Sequence, residues 1–449
     1  MSQEITWLQN ATIVTMNDDR DIIEGDLLLK GGRIAAIGDV DPVAAEGAHT
    51  RDLTGHIITP GFVQCHIHLC QTLMRNHADD MVLLDWLERR IWPYEAALTP
   101  ETLAISARVG LAELIRGGTT AILDMGTVHH TDAIGEVVKE SGIRAHIGKC
   151  MMDYGDQVPV PMREDTDESI RESLRLHQSW HGAADGRIKY AFAPRFAVSC
   201  TERLLREVGE AAADLKCHIH THSSETEFEN EFTRERYGVS NIEFLQQVGM
   251  TGDRSVFAHG VHVDDEDCRI LASSHTAICH CPSSNLKLAS GIANMPRYDK
   301  FGVPVALGAD GAPCNNNLDA FIEMRLAALL QKPFHGPQSM PAERVLALAT
   351  IDGARALGLQ DEVGSLEVGK SADLVVLNLD DDPGCGPGGD VAARIVYTAQ
   401  KHNVRHVFAS GRQLVDNGEL VHIDAPSLMA RARTAQQDVV KRMQKYLPQ

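Results

Sequence analysis

The rhythm of apolar and polar positions changes twice along the chain. Residues 5–16 are mostly apolar or β-branched, which predicts a strand. Residues 26–29 and 34–37 flank Gly31-Gly32 and predict a hairpin. Residues 56–59 form a further strand that stops at Pro60-Gly61. From Phe62 the pattern turns to strands alternating with helices. Residues 100–116 predict a helix, with Thr99 as N-cap, Pro100 in the first position and Gly117-Gly118 as the stop. Residues 119–123, 188–193, 217–221, 255–258, 277–280 and 303–307 predict buried strands, and 201–215 a helix. Repeated strand-helix order implies an α/β fold with a parallel sheet, and the number of units suits a (β/α)8 TIM-like barrel.

The tail returns to β. Turns around a short strand are expected at 364–369, then strands at 372–378, 393–397, 404–409 and 412–415. Residues 380–390, rich in Asp, Gly and Pro, predict a surface loop, and 427–445 a closing helix. The two β-rich ends are expected to meet as one small β-sandwich. The predicted domains are therefore 1–60 (sandwich, first part), 61–366 (barrel) and 367–449 (sandwich, second part, with the helix).

Composition narrows the class. The 449 residues are 43% hydrophobic and 23% charged, ordinary for a globular chain. A formal net charge of −20 argues against a nucleic-acid polymer as partner, because phosphate contacts need clustered Lys and Arg. Residues 1–10 carry no signal-peptide pattern, and no run approaches a membrane span. The ten cysteines are scattered without a C-x-x-C pair, which predicts reduced thiols and a cytoplasmic chain.

The candidate chemistry sits at strand ends. His66, His68, His222, His259 and Asp310 each fall where a predicted strand finishes, which is where a barrel keeps its active site. His66 and His68 share one strand face, since side chains repeat every two residues. An H-x-H pair alone is weak evidence; convergence with the other groups is what gives it weight. His222 can supply a third ligand, with His218 and His220 as competitors in the same run. Glu225 can exchange protons with a water. His259, with His262 as its competitor, can orient that water or polarise a substrate. Asp310 can bind a metal and take a proton, although an Asp after a strand also suits a helix N-cap. Strand 188–193 ends in Pro194-Arg195, without a Lys to bridge a second ion. One divalent metal is therefore expected; zinc suits the donor set best, with iron and manganese also compatible.

These residues resemble the amidohydrolase superfamily, in the deaminase branch related to chlorotriazine hydrolases. The likeness spans essentially the whole chain: Pro60-Gly61-Phe62 with His66-x-His68, His222-x-x-Glu225, Ala258-His259, Ser284-Asn285-Leu286-Lys287-Leu288, Gly308-x-Asp310 and Gly369-x-x-Ala372-Asp373-Leu374. The resemblance implies that His66, His68, His222 and Asp310 hold the metal, Glu225 shuttles a proton to the leaving group, and His259 sits beside the hydrolytic water. It implies attack of activated water on an aromatic ring carbon and loss of ammonia from a small amino-heterocycle.

The substrate signals split. Gln71, Pro194-Arg195-Phe196 and the run around Lys149 resemble guanine deaminases, in which Gln and Arg hold the purine edge. Asp85-Trp86-Leu87, Glu95 and Gly311-Ala312-Pro313-Cys314-Asn315-Asn316 resemble deaminases of 5'-deoxyadenosine, methylthioadenosine or S-adenosylhomocysteine. There Glu95 would hold the ribose hydroxyls. Adenosine-type members usually carry His where this chain has Arg195, and an Arg near Lys149, which weighs against S-adenosylhomocysteine. Gln71, Trp86, Glu95, Lys149 and Arg195 are thus the expected substrate contacts. A 5'-deoxyadenosine-like nucleoside is favoured over guanine, and a chloro- or amino-triazine is the third alternative. Members of this group often form dimers or tetramers, so a homo-oligomer is among the expectations.

Overall fold

A computed structural model describes residues 5–448; the first four residues of the predicted 1–60 segment, including part of the stretch read for a signal peptide, and the last of 367–449 lie outside the described residues. Phe62–His68, Thr119–Met125, Arg144–Gly148, Ile188–Pro194, His218–Ser223, Ser255–His259, Ala277–His280 and Val305–Leu307 lie side by side in chain order, all parallel, within a ten-stranded sheet. The sheet curls until Asp310 and Gly311 pair with Ile67 and His68 of its first strand. The result is TIM-barrel-like, with helices outside and strand C-termini gathered at one mouth.

Closure depends on a close approach. A Cβ on Gly308 would sit 2.7 Å from Cys279 Sγ and 2.8 Å from the His66 backbone nitrogen, so only glycine lets the last strand swing onto the first. Small inward residues, among them Cys65, Ala121, Ala191, Cys279 and Ala306, pack into a core of their own. The helix Pro100–Arg116 forms as its sequence predicts: Thr99 and Thr102 make a reciprocal capping box, and Gly117 ends it.

The two chain ends do meet. They form one nine-stranded mixed sheet, in which His56–Pro60 pairs antiparallel with Leu374–Asn378. Leu8, Ile13, Leu27, Ile58, Leu374 and Phe408 are among the side chains of its separate core.

Three tail expectations are corrected. Residues 393–397 are helical, not a strand: Val391–Ala393 runs into Arg394–Thr398, and Asp390 caps the turn by accepting from the Ala393 N–H. Ile395 and Val396 are buried there, and the segment packs on Ala320–Leu330. A β-branched run this short has no period of its own, so packing decided its shape. Residues 364–369 hold turns without a strand; Leu366 makes one backbone bond to Thr15 O, at 2.7 Å. The closing helix, Ala425–Met443, starts earlier than 427 because Asp424 caps it. It lies along Pro100–Arg116 and Trp92–Ala96, against the barrel. All ten cysteines are free, and no described helix is long and apolar enough to cross a membrane.

Candidate metal centre

At the mouth, four side chains bring one ligand atom each within 4.8 Å of one another: His66, His68, His222 and Asp310. The backbone sets their protons. His68 Nδ1 is 2.7 Å from Met125 O, and His222 Nδ1 is 2.7 Å from Arg195 O. A carbonyl only accepts, so each Nδ1 carries the hydrogen and each Nε2 keeps a lone pair. His66 is arranged by relay. His220 Nδ1 donates to Val256 O (2.8 Å), which leaves His220 Nε2 to accept from His66 Nδ1 (2.7 Å). The three Nε2 lone pairs therefore face one point beside Asp310. His66 Nε2 is buried without a hydrogen-bond partner, 3.1 Å from Asp310 Oδ1, and His68 Nε2 is 3.3 Å from the same oxygen. Ser284 Oγ donates to Asp310 Oδ2 at 2.6 Å. Three neutral imidazole nitrogens and one carboxylate oxygen fit a divalent zinc-like ion.

Electrostatics agree. Burial, reinforced by neighbouring His66, pushes His68 down to about 3, and burial lowers His66 and His222 as well. All three are neutral at pH 7, the form that binds metal. Burial alone would raise Asp310, but His66, His259 and His68 hold its carboxyl well below the ordinary range.

Across the site, His259 Nε2 lies 3.5 Å from Glu225 Oε2 and 3.9 Å from Asp310 Oδ2. Asn285 Oδ1 accepts from His259 Nδ1 (2.8 Å), and Ser290 Oγ donates to Glu225 Oε1 (3.0 Å). Burial raises Glu225; for His259, burial works downward but Glu225 and Asp310 outweigh it and raise the imidazole. Both His259 (φ +77°) and Asp310 (φ +63°) stand in the left-handed region that non-glycine residues avoid. Such strain persists where surrounding structure imposes it, typically at functional sites.

These groups open into a narrow cavity. Leu83, Trp86, Leu87, Phe196 and Leu288 give it apolar walls, while Arg195 lines it from strand Ile188–Pro194. Arg195 grips Glu95 in a fork, at 2.8 and 3.2 Å, and Gln71 Nε2 donates to Glu95 Oε1 at 2.9 Å.

Comparison with known proteins fits this arrangement. Residues 57–414 match the amidohydrolase family. The chain belongs to that family. This amidohydrolase is 37% identical to a 5'-deoxyadenosine deaminase of Methanosarcina acetivorans, over 97% of this chain and 98% of the relative. It is 37% identical to a 5-methylthioadenosine/S-adenosylhomocysteine deaminase of Moorella thermoacetica, over 96% and 95%. It superposes on the crystal structure of a Xanthomonas campestris adenosine deaminase with bound zinc at a TM-score of 0.90, with 31% identity over 97% and 98%.

The geometry also separates the competing histidines of this amidohydrolase. His218 lies at the far end of its strand, its ring against His146; His220 serves the relay; His222 reaches the ion site. His262 bonds to Ser290 O (2.8 Å) away from the cluster, whereas His259 faces it. Lys149 turns from the cavity: it pairs with Glu164 and lies 3.4 Å from Ser169 Oγ. Sequence reasoning passed over three supports. His220 sets the His66 proton, Ser290 holds Glu225, and Glu323 binds Asn315 and the Ser283 backbone N–H, bracketing the segments that carry Asp310 and Ser284. Burial pushes Glu323 up to about 7. A Glu within the largely apolar run 320–330 was the sequence signal for the last.

Proposed function

We propose that this amidohydrolase is a metal-dependent deaminase that replaces an exocyclic amino group of a purine-type ring by oxygen and releases ammonia. The convergence of three Nε2 lone pairs on Asp310, facing the Glu225–His259 pair, carries the reading. His66, His68, His222 and Asp310 would hold the ion. When bound it supplies Lewis acidity, which can bring the pKa of water to about 7.

The chain's own groups supply the rest. Leu83, Trp86, Phe196 and Leu288 bury a flat ring and exclude bulk water. Glu225, its acidity weakened by burial, takes the proton of the attacking water and returns it to the departing amine, an otherwise poor leaving group. His259, fixed by Asn285, stabilises the charge that develops on the adding oxygen.

The favoured substrate is a 5'-deoxyadenosine- or methylthioadenosine-like nucleoside, supported by near full-length similarity to deaminases of those names. A second reading, a guanine-type ring, is supported by the Gln71–Glu95–Arg195 network. Glu95 is buried behind Arg195 and does not line the cavity, whereas Arg195 does, so a ring edge can meet Arg195 as it stands. Lys149, held by Glu164, we assign to support of the wall.

Ammonia release measured with 5'-deoxyadenosine, methylthioadenosine, guanine and a triazine tests this. Turnover of either nucleoside is expected. Preference for guanine selects the second reading, and silence with all of them defeats the deaminase assignment.

A further inference from the structure

The opposite end of the barrel carries another convergence of ligand atoms. His177 lies in the last turn of helix Thr166–Trp180, and His181 follows as its C-cap. Spaced by four, they fall on one helix face, with ring centroids 4.7 Å apart. Cys217 stands just before strand His218–Ser223, and its Sγ is within 4.8 Å of a nitrogen of each histidine. His222 follows Cys217 by five positions (222 − 217), roughly 16 Å along a strand, so this cluster is separate from the mouth.

We infer that His177, His181 and Cys217 form a second, structural site for a borderline-soft transition metal such as zinc or cobalt(II), pinning the helix to the foot of the barrel. Three observations carry it. The cluster has the two-imidazole, one-thiolate donor set that such ions prefer over hard cations. His177 Nε2 is buried with no hydrogen-bond partner, while His181 Nδ1 accepts from the Tyr190 N–H only at a long 3.4 Å, so moving the ring proton to Nδ1 to open Nε2 for an ion gives up one weak bond. Cys217 is buried and His181 exposed, giving a fixed anchor and an open approach with a position for water. Lys189 and Lys216 line the adjoining cavity with His181 and oppose a cation, so the thiolate must provide the compensating charge. Binding releases the Cys217 proton and replaces its 2.8 Å bond to Tyr190 O.

The mouth offers no sulfur ligand, which makes the two sites spectroscopically distinct. The full chain, stripped by a chelator and refilled with cobalt(II), is expected to bind about two ions and to show thiolate-to-cobalt charge-transfer absorption. Cys217→Ser should bind about one ion, lose that absorption and keep ammonia release at the wild-type rate. His177→Ala, which keeps the thiol, should weaken cobalt binding at this site at least tenfold. Absence of the absorption in the wild-type chain, or its persistence in Cys217→Ser, overturns the assignment. Neither result bears on the mouth, whose loss would show instead as missing activity.

Discussion

At the scale of the residue, the centre works because its protons are assigned before any ion arrives. Met125 O, Arg195 O and the His220 relay each fix an Nδ1–H, so no imidazole must change tautomer to bind. Glu225 is outside that set, and its removal separates chemistry from binding. Glu225→Ala should retain metal while ammonia release falls roughly 100- to 10,000-fold, the usual worth of a positioned proton carrier. Metal analysis beside an ammonia assay checks this. Chloride needs no proton to leave, so undiminished chloride release by the same variant from a chlorotriazine would support the triazine alternative. The sequence made His66, His68 and Asp310 legible through spacing and strand-end position. Spacing alone did not choose among His218, His220 and His222, because alternation puts all three on one strand face, and only the family resemblance named His222. Depth along the barrel separates them, and depth depends on neighbouring strands. The Arg195–Glu95 fork, spanning 100 positions, left no local trace either.

At the scale of the element, the legible pieces carry punctuation and the misread ones lack it. Pro100–Arg116 is bounded by Thr99 and Gly117 in sequence and in structure. Residues 393–397 have no such marks inside them, and a tertiary contact overrode their strand propensity. The capped helix gives a prediction at this scale. Thr99 Oγ1 accepts from the Thr102 N–H (3.3 Å), and the Thr99 N–H donates to Thr102 Oγ1 (2.9 Å). Thr99→Ala should cost about 1 kcal/mol of stability and Thr99→Ser much less. Urea unfolding of the three proteins reads the difference. Metal content should not change, because neither the cap nor its helix carries a metal ligand. Equal stability of the Ala and wild-type proteins would mean that packing, not the cap, sets this helix start.

At the scale of the whole molecule, the last helix reaches the two segments whose Gln71 and Glu95 back Arg195 at the cavity wall. The pairing of residues 5–60 with 374–420 was legible as two β-rich ends; the destination of Ala425–Met443 was not, since an amphipathic helix does not say which surface it covers. It covers Pro100–Arg116 and two neighbours of the proposed substrate network. Gln436 Nε2 donates to Leu73 O (2.7 Å), in the turn Leu69–Met74 that holds Gln71. Arg442 Nε donates to Ala97 O (2.9 Å), next to Trp92–Ala96, which holds Glu95. Neither bond touches a strand that carries a metal ligand. Loosening both should therefore blur the Gln71–Glu95–Arg195 network while sparing the ion. Gln436→Ala with Arg442→Ala is expected to raise KM for the best substrate about 3- to 10-fold, since displaced positioning residues cost binding before chemistry. Metal content should stay at the wild-type value and kcat should fall less than KM rises. Loss of metal in that double variant would show instead that the helix supports the strand framework as a whole, and an unchanged KM would detach the chain's end from substrate recognition.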